Sequence, residues 1–270
     1  MQLPVLTEPE QLADLLGDEA LIVVDLSNAT SYAEAHIPGA IHLDYAMLVR
    51  GEKPAPGLLP DSARLSAIGS HIGLTADQHV VAYDNEGSGR ASRLLWTLHV
   101  LGHYQVSVLN GGIHSWTDEG CDLTAESSTP EGSDYTAHPG ADAIADLDYI
   151  RARLGSPEIG LLDARTPEEF TGTTARALRG GRIPRAFNLN WLDTIDRNRA
   201  LRLKPATTLQ AMLDAGQLTT DKEIITYCQT HHRSAHSYMM LKSLGYPNVR
   251  GYAGSWSEWG NHPDTPVEVG

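Results

Sequence analysis

The sequence predicts an α/β fold made of two similar domains, each a parallel β-sheet with helices on both faces. Two observations lead to this prediction. Short, continuously apolar runs alternate with longer helix-like segments, as is typical of buried parallel strands joined by helical crossovers. The same order of runs also occurs twice along the chain of 270 residues.

The internal repeat is the clearest organisational feature of the chain. Residues 74–84 align without a gap with residues 218–228, at an offset of 144 (228 − 84). Upstream, the apolar run at 21–25 matches the one at 159–163. A period this long indicates a duplicated domain rather than a solenoid of short repeats.

The apolar and helix-like runs of the first copy locate its elements. Strands are predicted at 21–25, 39–43, 79–84 and 105–109, and helices at 8–16, 62–72, 90–101 and 112–119. The stretch 125–142 is rich in Ser, Thr, Pro, Gly and Asp, which is typical of a linker. The predicted division is therefore a domain at 1–124, a linker at 125–142 and a domain at 143–270.

Composition and charge narrow the function classes. The formal net charge of −14 argues against nucleic-acid and anionic-membrane partners, because both need a basic surface. Two cysteines far apart in the sequence imply no disulfide framework, and a free thiol suits a reducing compartment. Residues 1–7 do not read as a secretory leader, and no apolar run reaches the roughly 18 residues of a membrane span. We therefore expect a cytoplasmic protein.

The candidate chemistry lies at residues 227–234, which read Tyr-Cys-Gln-Thr-His-His-Arg-Ser between an apolar run and a helix-like run. A loop between a strand and a helix N-terminus stabilises a thiolate, because its N–H groups and the helix dipole favour negative charge. Cys228 is therefore the predicted nucleophile, in a surface loop. A buried, inert cysteine is the alternative interpretation.

The residues that follow the cysteine are expected to form the active-site loop. They are Gln229, Thr230, His231, His232, Arg233 and Ser234. Their N–H groups would surround the sulfur, and Arg233 with the histidines would lower the thiol pKa. Two alternatives stay open: Arg233 binds loop carbonyls instead, and one histidine only caps the helix or faces solvent.

The first copy is predicted to lack this chemistry. Asp84 stands at the position equivalent to Cys228, and the loop after it carries Glu86 where the second copy has imidazoles and a guanidinium. A carboxylate pair of this kind cannot act as a thiolate nucleophile. The first domain is therefore expected to be structural, or a wall of the active cleft.

Two further motifs carry a resemblance to a known family. Residues 32–40 read Tyr-Ala-Glu-Ala-His-Ile-Pro-Gly-Ala, and residues 249–259 read Val-Arg-Gly-Tyr-Ala-Gly-Ser-Trp-Ser-Glu-Trp. With the duplication, they resemble the tandem-domain rhodaneses, the thiosulfate sulfurtransferase family. The loop is similar to that of a bacterial subgroup with Cys-Gln-Thr-His-His-Arg-Ser. The resemblance implies two rhodanese-like domains, of which the second is catalytic.

The resemblance also implies a reaction. The cysteine takes sulfane sulfur from a donor as a persulfide and gives it to a thiophilic acceptor such as cyanide or a thiol. Thiosulfate is the expected donor and 3-mercaptopyruvate the alternative, since the loop has neither of the family's usual donor-specific forms. No metal or cofactor is expected besides the persulfide on Cys228. The expected partners are the small-molecule donor and acceptor and also a sulfur-accepting protein, and the chain is expected to be a monomer.

One departure from the family concerns anion binding. The family often has an arginine soon after the strand-end aspartate, where this chain has glutamates at 168–169. Arg176, Arg179 or Arg182 are candidates to replace it. Of these, we name Arg176 and Arg182, together with Arg233, as predicted substrate-binding residues.

The loop has three interpretations other than that of a sulfurtransferase. A cysteine phosphatase has a longer spacer than the four residues between Cys228 and Arg233, and the shorter loop suits a sulfur atom better than a tetrahedral oxyanion. A persulfide carrier for a partner protein needs the same loop, so it stays open. A metal site with His231 and His232 lacks a second cluster at ligand spacing.

Overall fold

The computed structural model describes residues 3–129 and 132–270. Met1, Gln2, Pro130 and Glu131 lie outside the described residues, the last two within the predicted linker. The chain divides into two compact units. The first contains the residues up to Leu48, Pro60–Gly140 and Ile195–Leu203, and the second contains Val49–Leu59, Ala141–Thr194 and Lys204–Gly270. The domain limits at 1–124, 125–142 and 143–270 stay a prediction.

The first half of the chain alternates strands and helices. Its strands are β1 (Leu6–Thr7), β2 (Leu21–Asp25), β3 (Ile41–His42), β4 (His79–Tyr83) and β5 (Val106–Leu109). Its helices are α1 (Pro9–Ala13), α2 (Ala29–Glu34), α3 (Ser62–His71), α4 (Gly89–Val100) and α5 (Gly112–Asp118), with a 3-10 turn at Tyr45–Leu48. Among the described residues, all five strands pair in parallel in the order β1-β5-β4-β2-β3.

Helices cover both faces of this sheet, as predicted. β4 is buried at every position. On one face, Val81 packs with Leu12 of α1 and Trp116 of α5. On the other face lie Val80 and Ala82, because successive side chains of a strand point to opposite faces, and α4 contacts this strand. A strand buried on both sides explains the continuous apolar run in the sequence.

Some predicted elements differ from the structure at their ends. The helix predicted at 8–16 ends at Ala13, because beyond the capping residue Asp14 the N–H groups of Leu15 and Leu16 bond back three residues rather than four. The strand predicted at 39–43 pairs only over Ile41–His42, since the N–H of Ala40 bonds the carbonyl of Ile37 in a turn. β1 and α2 were not predicted, because elements this short show little periodicity.

The second half repeats the alternation. Its strands are β6 (Ile159–Asp163), β7 (Phe187–Asn188), β8 (Ile195–Asp196), β9 (Arg202–Leu203), β10 (Glu223–Tyr227) and β11 (Val249–Gly251). Its helices are α6 (Leu147–Arg153), α7 (Pro167–Thr171), α8 (Ala206–Ala215), α9 (Arg233–Ser243) and α10 (Ser255–Trp259), with a 3-10 turn at Trp191–Thr194. Within the described ranges, the second unit has a parallel sheet in the order β11-β10-β6-β7, while β8 and β9 pair antiparallel and belong to the first unit. Across these same ranges, no helix is both long and apolar enough to span a bilayer.

Much of the predicted linker lies along α3 in the first unit. The N–H of Tyr135 donates to Ser70 Oγ at 3.2 Å, and the N–H of Ala137 donates to Ser66 Oγ at 2.9 Å. Further on, the N–H of Gly140 donates to the carbonyl of Val100 at 2.8 Å. Polar side chains of α3 thus bond backbone N–H groups of the segment at residues 132–140, which the structure describes outside any strand.

The register of the second sheet sets the position of the loops. β6 and β10 pair over five residues, and the last pair joins Asp163 to Tyr227. Cys228 and Ala164 therefore leave the sheet side by side at its carboxyl edge. In parallel α/β sheets this edge is where ligands bind.

A buried ion pair lies at the same edge. Arg165 donates to Asp163 through Nε at 2.9 Å and through Nη2 at 2.6 Å, and both residues are almost fully buried. The guanidinium also donates to the carbonyl of Gly181 at 2.7 Å and lies over the Trp256 ring at 4.6 Å. Its charge is thus matched, and its Nε and Nη2 donors are used, as a buried charge requires.

Arg165→Met is expected to destabilise the second unit by about 3–5 kcal/mol, because it leaves the Asp163 carboxylate buried without a counter-charge. Denaturant unfolding followed by tryptophan fluorescence measures this loss. The control is Arg151→Met, since Arg151 pairs with Asp148 at 3.8 Å on the surface and such pairs contribute about 0–1 kcal/mol. Equal midpoints for the two variants would contradict a structural role for the buried pair.

Candidate active site

Cys228 follows β10 directly and is only 1% exposed. The prediction of a surface loop is therefore wrong in one respect: the loop backbone is covered by the start of α10. The N–H of Trp256 donates to the carbonyl of Cys228 at 2.9 Å, and the N–H of Ser257 donates to that of Gln229 at 3.0 Å. Ser255 Oγ accepts the N–H of Cys228 at 3.2 Å. The C-terminal motif thus holds the loop from behind.

The environment of the sulfur favours the thiolate. Burial by itself raises the pKa of Cys228, but other groups outweigh it and bring the pKa down to about 7. In order of effect, these are the Arg233 guanidinium, the Ser234 hydroxyl, the Ser234 N–H and the Thr230 N–H. α9 begins here without a side-chain cap, so the N–H of Ser234 in its first turn is left for another acceptor. The sulfur takes that place.

Ser234 links the sulfur to a buried histidine. His231 Nδ1 lies 2.7 Å from Ser234 Oγ, and both residues are fully buried. A hydroxyl can donate one hydrogen bond and accept another, so Ser234 can bond the sulfur and His231 at the same time. His231 adopts a left-handed φ of +56°, which is costly for a residue with a side chain and is often found at functional sites.

Arg233 is held by a carboxylate from α7. Its Nη1 and Nη2 donate to the two oxygens of Glu169 at 2.6 and 3.0 Å. Burial disfavours both charges, but the pairing overrides it: the pKa of Glu169 is lowered and that of Arg233 is raised. Glu169 is itself fixed by a capping box with Thr166. A rigid arginine therefore faces the sulfur.

Glu169 is the site residue whose role was missed in the sequence. The sequence showed only that a glutamate stands where the family often has an arginine. The capping box of Thr166 and Glu169 is readable as a helix start. The pairing with Arg233 is not readable, because it joins two residues 64 positions apart through the tertiary fold.

The three candidate arginines occupy different places. Arg176 lies beside the loop: its carbonyl accepts from Gln229 Nε2 at 3.1 Å, and its Nε lies 3.5 Å from Glu169. Arg182 instead pairs with Glu268 and donates to the carbonyl of Gly270. Of these predicted substrate-binding residues, the structure brings Arg176 and Arg233 together at Glu169, while the contacts of Arg182 are with the C-terminal segment.

The third candidate, Arg179, also holds the C-terminal segment. Its guanidinium donates to the carbonyls of Trp259, His262 and Thr265. These bonds fasten the residues that follow α10, the helix whose start covers the active loop. Arg179 therefore has a structural role.

An aromatic cluster lies on the other side of the loop. The Trp191 ring meets His232 edge-on at 5.8 Å and His236 at 5.5 Å between ring centroids. Burial, with His232 nearby, lowers the pKa of His236 to about 3, so this ring is neutral. His236 was not singled out in the sequence, because one polar residue in a buried helix gives no periodic signal.

The first unit fills the equivalent loop with a carboxylate. Asp84 Oδ1 accepts the N–H groups of Glu86 at 3.0 Å and Ser88 at 2.8 Å. Asp84 Oδ2 accepts those of Arg90 at 2.9 Å and Ala91 at 3.0 Å. The N–H groups of this loop are thus occupied by the Asp84 carboxyl group, whose pKa is raised by burial and by Glu86 and which carries no nucleophilic sulfur.

Fold and site together define a duplicated α/β protein with one buried, ionisable thiol at the carboxyl edge of its second sheet. The model of the rhodanese-like domain matches residues 8–119 and again residues 146–262. The chain belongs to the rhodanese family and is a tandem member of it. This confirms the predicted fold class and also the resemblance to the tandem-domain rhodaneses.

Curated relatives cover almost the whole chain. A thiosulfate sulfurtransferase from Pseudomonas aeruginosa is 46% identical over 267 residues, spanning 99% of this chain and 98% of its own length. One from Azotobacter vinelandii is 43% identical over 267 residues, with the same coverage of 99% and 98%. Among solved structures, SseA from Escherichia coli, described as a 3-mercaptopyruvate sulfotransferase, has a TM-score of 0.83 at 25% identity and covers 94% of this chain and 99% of its own.

Arg233→Gln is expected to raise the pH midpoint of Cys228 alkylation from about 7, because removing the guanidinium destabilises the thiolate relative to the thiol. The measurement is the rate of iodoacetamide modification across a pH series. The control is Arg176→Gln, which removes a 64% exposed cation and should shift the midpoint less. A midpoint that stays near 7 in Arg233→Gln would mean that the arginine does not stabilise the sulfur.

Proposed function

We propose that the protein is a thiosulfate sulfurtransferase whose nucleophile is Cys228. One observation carries the proposal: Cys228 lies fully buried between the end of β10 and the start of α9, where Ser234 and the Glu169-bound Arg233 stabilise its anion. Two relatives named thiosulfate sulfurtransferase, similar over nearly their full lengths, support thiosulfate as the donor.

In the first half-reaction the thiolate attacks the outer sulfur of thiosulfate. A sulfur–sulfur bond forms to Cys228, the bond to the sulfonate sulfur breaks, and sulfite leaves with the electron pair. The product is a persulfide on Cys228. The Thr230 and Ser234 N–H groups, which bond the thiolate in the free protein, lie where they can stabilise the persulfide anion as well. Sulfite takes the electron pair of the broken sulfur–sulfur bond, so the step needs no external oxidant, reductant or cofactor.

In the second half-reaction a thiophilic acceptor attacks the outer persulfide sulfur. Cyanide would give thiocyanate, and a thiol would give a new persulfide. Cys228 departs as a thiolate, and a low thiol pKa makes it a good leaving group. The same stabilisation thus serves both halves of the cycle. A sulfur-accepting protein is a further proposed acceptor.

Arg176 is the proposed first contact for the donor dianion. Its side chain is 64% exposed beside the loop, and its carboxylate partner Glu169 is already engaged by both nitrogens of Arg233. In a chain of net charge −14, an anionic donor needs such a local cation. Arg182 is a weaker candidate because it is paired with Glu268.

We propose that the protein functions in a reducing compartment such as the cytoplasm. Sulfur exchange requires Cys228 as a free thiol at the start of each cycle, and the structure holds both cysteines free. Oxidising conditions would convert such a thiolate to unreactive forms.

Incubation with thiosulfate, followed by removal of the excess, is expected to increase the intact mass by one sulfur atom. The gain should be absent in Cys228→Ala, present in Cys121→Ala, and removed by cyanide. The matched cysteine variant separates transfer at the active loop from reaction at an incidental thiol.

Three outcomes of this experiment would count against the proposal. A gain that persists in Cys228→Ala would rule out the nucleophile. A gain with 3-mercaptopyruvate but not with thiosulfate would replace the donor. No gain with either compound would rule out direct loading, and the function would then be that of a carrier loaded by another protein.

A further inference from the structure

The segment Val49–Leu59 belongs to the same compact unit as Cys228, although its neighbours in sequence belong to the other unit. It forms a closed turn of its own. The N–H of Arg50 donates to the carbonyl of Leu58 at 2.8 Å, and the N–H of Gly51 donates to that of Pro56 at 2.9 Å. The turn contains two prolines, Pro54 and Pro56, whose fixed φ angles leave it little backbone freedom. It is therefore a stiff support rather than a loose loop.

Gly57 brings this turn against the active loop. A β-carbon at this position would overlap the carbonyl oxygen of Thr230 and would lie 2.6 Å from its carbonyl carbon and 2.8 Å from its α-carbon. All three atoms belong to the backbone, so no change of rotamer relieves the overlap. The φ of Gly57 is not positive, so glycine is required here only because a β-carbon has no room.

The atoms that Gly57 approaches are part of the sulfur's environment. The N–H of Thr230 bonds the Cys228 sulfur, and its carbonyl leads directly into His231, which carries the strained φ and the bond to Ser234. Because the overlap includes the Thr230 α-carbon, displacing this residue would also move its N–H relative to the sulfur. It would also disturb the residue that orients the Ser234 hydroxyl.

We propose that Gly57 is a positioning residue: the turn Val49–Leu59 supports the active loop at the Thr230 carbonyl and so holds the Thr230 N–H on the Cys228 sulfur. Its effect on sulfur transfer rests on the function proposed above, whereas its effect on the thiol does not. The sequence of the active loop does not reveal this contact, because Gly57 lies in the first half of the chain.

The charged and titratable groups that face the sulfur are unchanged when Gly57 is replaced. They include Arg233 on α9 and, behind it, Glu169 on α7, while His231 within the loop reaches the sulfur only through the Ser234 hydroxyl. A change in thiol reactivity in a Gly57 variant therefore reports on loop geometry rather than on added or removed charge.

Gly57→Ala is expected to raise the pH midpoint of Cys228 alkylation by about 0.5–1 pH unit, as one weakened hydrogen bond to the thiolate would do. It should also lower kcat/KM for thiosulfate by roughly fivefold or more. The control is Gly140→Ala, where a new β-carbon meets only the Val100 carbonyl at an ordinary 3.6 Å, and both quantities should match the unmodified protein.

An alkylation profile of Gly57→Ala that coincides with those of the unmodified protein and Gly140→Ala would overturn the proposal. If the Gly57→Ala profile is shifted but even the unmodified protein transfers no sulfur, the positioning role is supported and the sulfurtransferase function is rejected. The two failures are therefore distinguishable.

A second measurement uses the unmodified protein and does not depend on the variant folding. Alkylation of Cys228 with iodoacetamide adds bulk inside the loop and should change amide hydrogen exchange within residues 49–59. Exchange in residues 132–140, which lie along α3, should stay the same. Unchanged exchange in 49–59 would contradict contact between the turn and the loop.

Discussion

The stabilisation of one buried negative charge, on the sulfur of Cys228, is the constraint on which the rest of the second unit depends. Burial alone would keep the thiol protonated at neutral pH. The fold offsets this with an uncapped helix start, a serine hydroxyl and an arginine held by a buried glutamate. These groups are backbone N–H groups, a side-chain hydroxyl and a charged side chain. Two of them are held by a further residue: His231 bonds Ser234, and Glu169 bonds Arg233.

The two halves of the chain show how one loop architecture serves two purposes. In each unit a tyrosine ends the central strand, and its hydroxyl accepts a backbone N–H: Tyr83 from Ile37 at 3.0 Å and Tyr227 from Ile183 at 3.2 Å. The residue after that tyrosine is the hydrogen-bond acceptor of the loop. Asp84 supplies a carboxyl group with four N–H partners, whereas Cys228 supplies a sulfur that can form and break a bond. This residue, together with Arg233 and Ser234, distinguishes the reactive loop from the structural one.

Local patterns were enough to predict most strands of the first sheet, the duplication and the position of Cys228 between a strand and a helix. β2 occupies the predicted residues 21–25, because a buried parallel strand is a continuous apolar run. β10 ends directly before Cys228 and α9 begins at Arg233, whereas the role of Cys228 as the nucleophile stays a prediction. These features are encoded by residues that are neighbours in sequence, so they are visible without tertiary information.

The rest of the site depends on contacts between distant segments and was not readable. The pairing of Glu169 with Arg233 and the close approach of Gly57 to Thr230 each join parts of the chain that share no local pattern. Burial of Cys228 was missed for the same reason, since the residues that cover it belong to α10. Arg182 was a reasonable candidate by position, but its carboxylate partner lies at the other end of the chain, at Glu268.

The central claim is that ionisation of Cys228 controls sulfur transfer. The most direct measurement is the single-turnover rate of sulfite release from thiosulfate as a function of pH. The account predicts that this rate falls roughly tenfold per pH unit below about pH 7 and levels off above it, because only the thiolate attacks. A rate independent of pH across this range, or one that levels off only near the value of an ordinary cysteine at about 8.5, would contradict it.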